Sequence, residues 1–421
     1  MCNETKCAMV WADAKLQTKP IHVAAPYHFV FLGEILSYIE KNEKIQIDVF
    51  DFEARNTEFS IFIKSLIKYK YKSIAFFVNT DNVENTLTLL EFVKQISPET
   101  KCIAYGELCV FLPDFFVKTN FDAIVSEKCD CEVAIQDFFS FSYGSKNKEE
   151  LRGVKFIEDN KLKLYKNGVF LPAQEWEFTD LSKSFVKNLF NIEGKEQVVI
   201  EIARGCPYNC KYCKETSFAG NIERRRPIDD VIQYINNSNY KLFKFYASNF
   251  TLDEQYVNEF CDKLIKNCKK IKWSCTTRPE LLKNENLIKK MALSGCYKIS
   301  VGVETLGKDE LDNLKRGYNI QNIIDGIKLL KKYNIEYKAL IMLGVPNQTK
   351  ESILATLNFL SNYNVTIRPT AYTPFYEMSA DMSAEEISKF DKRTYYNKIE
   401  ELSYSNFLNL IYNVDNYKKI L

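Results

Sequence analysis

The sequence predicts an α/β protein of two units: a doubly wound parallel sheet, then a partial (β/α)6 barrel. Three observations carry this. Short apolar runs alternate with amphipathic stretches through the first 141 residues. The same alternation resumes at Gln197 and supplies six further strands. Between them, Ser142–Glu150 is polar and contains glycine, a composition that breaks the rhythm. The chain has 421 residues, which suits two or three domains. The expected divisions are 1–141 for the sheet, 142–195 for a connector, 196–378 for the barrel and 379–421 for a helical tail.

In the first unit, strands are expected at Ile21–Ala25, Ile45–Asp51, Ser73–Asn79, Lys101–Tyr105 and Asp122–Val125. Helices are expected at Phe31–Lys41, Phe59–Tyr69, Val83–Ile96, Leu112–Lys118 and Cys131–Phe141. Ligands of such sheets bind beyond the carboxyl ends of the strands. No G-x-G-x-x-G follows the first strand, so the dinucleotide fingerprint is absent. The connector reads as a hairpin turning at Asp159-Asn160. In the barrel, strands are expected at Gln197–Ile202, Leu242–Tyr246, Ile271–Thr276, Lys298–Val303, Lys338–Leu343 and Val365–Tyr372. Chemistry in parallel barrels collects at the carboxyl ends of the strands.

Composition narrows the function classes. Against 57 basic residues stand 55 acidic ones, so no electrostatic footprint points to nucleic acid or an acidic membrane. No apolar run reaches the length of a membrane span. The amino terminus lacks the apolar core of a secretory signal, and 13 cysteines without a small-domain framework fit a reducing cytoplasm better than a disulfide scaffold. Of the two histidines, His22 reads as structural and His28 as a loop residue on the ligand side.

The chemistry concentrates in Glu201–Cys213, EIARGCPYNCKYC. Cys206, Cys210 and Cys213 form a C-x3-C-x2-C array on a loop that Gly205 and Pro207 release from the preceding strand. Three thiolates are one short of the set that holds an ordinary electron-transfer Fe–S cluster, which leaves one iron open to a small molecule. The competing reading is a zinc loop that borrows a fourth ligand elsewhere.

The array with its flanks resembles the radical S-adenosylmethionine (SAM) superfamily. That resemblance implies a 4Fe-4S cluster on the three cysteines, with SAM chelated at the open iron. It places Tyr212 beside the adenine and Ser248 and Asn249 near the methionyl amine. Gly302-Val303-Glu304 is similar to a family segment whose glutamate contacts SAM. Lys315-Arg316-Gly317 matches a family turn, and Gly344 heads a G-x-P-x-x-T-like turn that approaches adenine. Arg368 and Tyr372 alternate onto one face of the last strand and are candidates for holding substrate, with a structural salt bridge as the plainer role for the arginine. Cys275 is a candidate hydrogen-atom donor, against the plainer reading of a packed core cysteine. No cysteine follows Cys296, which excludes a carboxyl-terminal set of auxiliary clusters.

The first unit resembles the cobalamin-binding domain that precedes the barrel in one class of these enzymes. Pro26-Tyr27, Gly33, Phe121–Val125 and Glu132 fit that pattern. Two features depart from it: the D-x-H-x-x-G motif is missing, and Tyr105-Gly106-Glu107 stands where a double glycine is common. The resemblance implies reductive cleavage of SAM and cobalamin-dependent C-methylation of a peptide or natural product. An electron donor such as flavodoxin or ferredoxin would serve it. The alternatives are a cobalamin-free epimerase, cyclase or rearrangement enzyme with a vestigial first domain, and a non-catalytic sensor. A tRNA methylthiolase would need an amino-terminal cluster and a basic RNA module, and the sequence has neither.

Overall fold

The computed structural model describes residues 6–14, 29–55, 57–183, 191–192 and 195–421. The chain forms two compact units. One comprises Met1–Lys195, Ser217–Gly220 and Phe375–Phe390; the other comprises Glu196–Thr216, Asn221–Pro374 and Asp391–Leu421.

The first unit is built on β1 (Cys7–Trp11), β2 (Ile47–Asp51), β3 (Ser73–Phe77), β4 (Lys101–Tyr105), β5 (Ala123–Val125), β6 (Val154–Glu158) and β7 (Lys161–Leu164). Their order is β2-β1-β3-β4-β5-β6-β7. The first five are parallel and the last two antiparallel. The expected first strand, Ile21–Ala25, lies outside the described residues, with His22, Pro26, Tyr27 and His28. The strand between β2 and β3 is Cys7–Trp11 instead. Its five residues are all buried, as a continuous apolar run in a two-sided sheet requires. The hairpin turning at Asp159-Asn160 is not a free connector: β6 pairs with β5 and extends this sheet.

Helices cover both faces of that sheet. α1 (Ile35–Asn42) and α4 (Cys131–Ser142) flank one face, and α2 (Phe59–Tyr69) and α3 (Val83–Ile96) the other. Alternation along the strands sorts the side chains. Ala8, Val10, Ile74 and Phe76 meet Phe62 and Leu66 of α2 and Leu90 and Val93 of α3. Phe76 is fully buried, worth roughly 2–3 kcal/mol relative to exposure. The order 2-1-3 puts a topological switch point between β1 and β3, the usual ligand crevice of such sheets. At its carboxyl edge Trp11 stacks on Phe77 with ring centroids 3.7 Å apart, and Tyr105 meets Phe77 edge-on at 5.5 Å. The Trp11 indole N–H donates to Glu53 at 3.1 Å.

The second unit contains β8 (Val198–Glu201), β9 (Leu242–Tyr246), β10 (Lys272–Thr277), β11 (Cys296–Glu304), β12 (Glu336–Leu343) and β13 (Thr366–Ala371). Each pairs in parallel with its sequence neighbour, in a six-stranded sheet whose first and last strands are its edges. This is the open (β/α)6 arrangement. α5 (Ile228–Asn237), α6 (Glu254–Asn267), α7 (Glu285–Leu293), α8 (Ile320–Lys332) and α9 (Lys350–Asn362) connect the strands. Under α6, Trp273 lies within 5.3–6.4 Å, centroid to centroid, of Phe245, Phe250 and Phe260. Gly295 enters β11 at φ +102°, where a Cβ would stand 2.2 Å from the Ile271 carbonyl. Only glycine fits there. Among the described residues, no helix is long and apolar enough to cross a membrane.

Candidate active site

The cysteine loop leaves β8 and is tied down at once. Ile202 N–H donates to the Tyr246 carbonyl at 2.7 Å, and Ala203-Arg204 pairs antiparallel with Arg224-Arg225. Arg204 Nε donates to Glu201 at 2.6 Å, a nearly buried ion pair. Gly205 then turns the chain at φ +88°. Cys213 N–H donates to the Cys210 carbonyl at 3.1 Å, and Lys211 N–H to the Leu314 carbonyl at 3.3 Å. The three sulfurs are thus held by a braced loop at the carboxyl end of the first barrel strand.

Cys206 and Cys210 are buried. Cys213 is exposed, yet desolvation by the surrounding protein pushes its thiol up to about 12. Burial also raises the Cys206 thiol, and Cys210 lies close enough to act on the charge of both neighbours. Among the described residues, no three thiol, imidazole or carboxylate groups converge on one ion. The donors around the sulfurs suit thiolates. Asn249 Nδ2 donates to Cys206 Sγ at 3.2 Å. Arg278 Nη1 and Arg316 Nη1 donate to Cys210 Sγ at 3.2 and 3.5 Å. The residues present therefore fit an iron–sulfur cluster.

Around that loop the strand ends supply polar groups. After β9, the turn Ala247–Phe250 is fixed by Phe250 N–H to the Thr276 carbonyl at 2.9 Å, and Arg225 grips the Asn249 and Phe250 carbonyls at 3.2–3.3 Å. This aims Asn249 at Cys206. The neighbouring Ser248 Oγ is buried and has no hydrogen-bond partner among the described residues. A buried hydroxyl without a partner is costly and asks for a ligand.

At the end of β11, Glu304 takes φ +57°, beside a register shift against β12. That left-handed turn is strained for a non-glycine residue. It directs the carboxylate at Tyr212 and Arg316: the Tyr212 hydroxyl donates to Oε1 at 2.7 Å and Arg316 Nη2 at 3.1 Å. Arg316 Nη2 also donates to the Gly302 carbonyl at 2.6 Å. A Cβ on Gly302 would lie 2.7 Å from that guanidinium and 2.8 Å from Glu304, so the glycine is the seat of the pair. Burial, then the Glu304 charge, raises the Tyr212 phenol well above its ordinary range, so it stays a neutral donor.

Tyr212 and Met342 pack on a small cluster of Leu314, Val345 and Tyr372. Tyr372 is 2% exposed, and its N–H donates to the Leu343 carbonyl at 2.8 Å. Gly344 takes φ +84°; its carbonyl accepts from Asn397 Nδ2 at 2.8 Å, and its N–H donates to Gln348 Oε1 at 2.7 Å. Arg368 is half-buried on β13, in register with Leu340.

Tyr212, Asn249 and the three cysteines are therefore brought together, and Glu304 joins them through Tyr212 and Arg316. Cys275 is not part of this group. It is 1% exposed and shares a face of β10 with Trp273, toward α6, with its thiol against that of Cys296. Sequence reasoning passed over Arg278 as a site residue and quoted Arg316 only as part of a turn. Their positions at or beyond strand ends were the available signal. Asn397 carried none, since it comes from a segment read only as helical.

Comparison with known proteins agrees with this geometry. Residues 200–360 match the Radical SAM superfamily. An uncharacterized methyltransferase of Pyrococcus horikoshii is 21% identical over 346 residues, which are 79% of this chain and 73% of the relative. The radical SAM methyltransferase TsrM of Kitasatospora setae, solved with cobalamin and a [4Fe-4S] cluster, superposes with a TM-score of 0.71 at 14% identity. That match covers 88% of this chain and 77% of TsrM. OxsB, a cobalamin-dependent SAM radical enzyme, gives a TM-score of 0.68 at 16% identity, over 92% of this chain and 55% of its own. The chain carries a radical SAM domain at residues 200–360, on a two-unit α/β fold shared with cobalamin-dependent radical SAM enzymes.

Proposed function

We propose that the protein is a radical SAM C-methyltransferase that uses a 4Fe-4S cluster, SAM and cobalamin on a peptide or natural-product substrate. The observation that carries this reading is the braced cysteine loop, with three N–H donors aimed at two of its sulfurs. When bound, the cluster and SAM together supply a one-electron cleavage able to open an unactivated C–H bond, and cobalamin supplies a methyl group.

The chain's own residues bind, orient and exclude water. Cys206, Cys210 and Cys213 hold the cluster. Ser248 Oγ is a hydroxyl in want of a partner, suited to the methionyl amine of SAM. Glu304 and Tyr212 form a fixed wall for the same molecule. Gly344 presents backbone to the adenine, and Asn397 fixes that backbone. Arg368 and Tyr372 are assigned to substrate, the arginine for a carboxylate. Cys275, the candidate hydrogen-atom donor, has no role in this proposal, because its thiol lies against that of Cys296. In the first unit, the crevice beyond the carboxyl ends of β1 and β3, at the switch point, is the place such a sheet offers a large ligand, and it is underlain by the buried aromatic cluster of Trp11, Phe77 and Tyr105. A flavodoxin or ferredoxin would deliver the electron, and a reducing cytoplasm would suit the cluster.

A cobalamin-free reading, with epimerisation or cyclisation as the outcome, draws on the burial of that cluster: Phe77 and Tyr105 are fully buried and offer no open ring face to a macrocycle. Anaerobic reconstitution with SAM and dithionite, with and without hydroxocobalamin, separates the two. Methyl transfer predicts retained corrin and S-adenosylhomocysteine beside 5′-deoxyadenosine. Deoxyadenosine alone, with no corrin retained, selects the second reading. Release of neither product discards both.

A further inference from the structure

We propose that Arg278 and Arg316 set the midpoint potential of the cluster by converging on a single thiolate, Cys210; this rests on the cluster assignment above. The two guanidiniums arrive from different places, one just past β10 and the other in the segment after β11. Both are nearly buried, at 4% and 7% exposure. Each turns an Nη1–H toward the same sulfur, at 3.2 and 3.5 Å. The Cys206 sulfur receives a neutral amide instead, from Asn249. Two charged donors thus meet on one sulfur.

Neither arginine is free to swing away. Arg278 gives its Nε to Glu280 and lies 3.8 Å from the centroid of the Tyr208 ring. Arg316 gives Nη2 to Glu304 and to the Gly302 carbonyl. Seated this way, each presents a fixed N–H to Cys210 with a carboxylate behind it. The arrangement resembles an outer-shell ligand clamp, which orients a ligand and tunes its metal.

The direction follows from charge. Reduction adds one electron, from dithionite or a protein donor, to the cluster and its thiolates. A hydrogen bond into a ligand sulfur stabilises the more negative, reduced state, so it raises the potential. Both guanidiniums and the sulfur they meet are buried, so the effect is weakly screened. Glu280 and Glu304 offset most of the net positive charge. Neutralising Glu304 alone uncovers the Arg316 charge and raises the potential further, while removing the Arg278 donor lowers it. Opposite signs from neighbouring positions are what a general loss of packing cannot produce.

The test is an EPR-monitored redox titration of the reconstituted holoprotein without SAM, with iron and sulfide assayed for each variant. For R278Q, the ratio of reduced to oxidised cluster at a given poise falls about tenfold, a negative shift of about 59 mV for one electron. R278K, which keeps a cation but not the fork, falls less. E304Q moves the other way. An intact cluster whose ratio in R278Q stays within about twofold of wild type overturns the proposal. If R278Q does not fold, E304Q decides: a rise supports the proposal, and no change overturns it. Wild-type protein that takes up no cluster overturns the cofactor assignment, and this inference with it.

Discussion

Single replacement of Cys206, Cys210 or Cys213 by alanine is expected to abolish both iron retention and SAM cleavage, while the fold survives. Each cysteine sits on a loop braced by backbone hydrogen bonds and by the Arg204–Glu201 ion pair, none of which uses a thiol. Losing one sulfur from a small, partly buried side chain costs on the order of 1 kcal/mol. Losing one of three cluster ligands removes a thiolate bond to iron, and the guanidinium and amide N–H groups that point at the sulfurs cannot ligate in its place. Anaerobic reconstitution should therefore give about four irons per chain in wild type and a small fraction of that in each variant. Dithionite-driven release of 5′-deoxyadenosine should fall below detection. Circular dichroism and thermal melting should remain close to wild type. A cysteine variant that keeps full iron and turnover would remove that residue from the ligand set.

Glu304→Ala is expected to destabilise the barrel unit far more than its position at a strand end suggests. Its carboxylate accepts from the Tyr212 hydroxyl and pairs with Arg316, whose side chain is 5% exposed. Removing the carboxylate leaves a buried guanidinium without its counter-charge, a loss of about 3–5 kcal/mol. Glu304→Gln keeps an acceptor of the same shape and should lose about 1–2 kcal/mol. The measurement is urea unfolding of the apoprotein followed by Trp273 emission, in a background where Trp11 and Trp176 of the other unit are replaced by phenylalanine. A Glu304→Ala variant within about 1 kcal/mol of its parent would mean that the pair contributes little here, as exposed ion pairs do.

Much of this architecture was legible in the residues because its signals are local. Leu242–Tyr246 and Lys101–Tyr105 are apolar runs of strand length bounded by polar turns, and they form strands with those limits. The six barrel strands pair in chain order, as successive β/α units favour. The cysteine spacing marked the cluster loop because three thiols so close in sequence have few structural uses. What escaped was non-local. Cys7-Ala8-Met9-Val10-Trp11 is as apolar as any strand in the chain, but it lies at the amino terminus. Ile21–Ala25 carried the same signal in the position where a first strand was sought. The hairpin at Asp159-Asn160 was read correctly as a hairpin, but nothing in its residues said that β6 would pair with β5.

The site divides in the same way. Tyr212, Asn249 and Glu304 sit next to strand ends that the sequence marks, and the structure gathers them around the cysteine loop. The convergence of Arg278 and Arg316 on Cys210 spans 68 and 106 positions of chain, a distance over which periodicity carries no information. Cys275 lies within β10 rather than at its end, and alternation places it with Trp273, toward the helices. The extra residue at the register shift beside Trp273 and Ser274 is Tyr297 on β11, so the alternation along β10 is unbroken.

The central claim is that one iron is left without a protein thiolate and takes SAM directly. Electron–nuclear double resonance on the dithionite-reduced, reconstituted protein tests it, using SAM labelled with nitrogen-15 at the methionyl amine. The account predicts a hyperfine coupling from that nitrogen to the cluster, with a changed EPR spectrum when SAM is added. A spectrum that is indifferent to saturating SAM, with no nitrogen coupling, would contradict it.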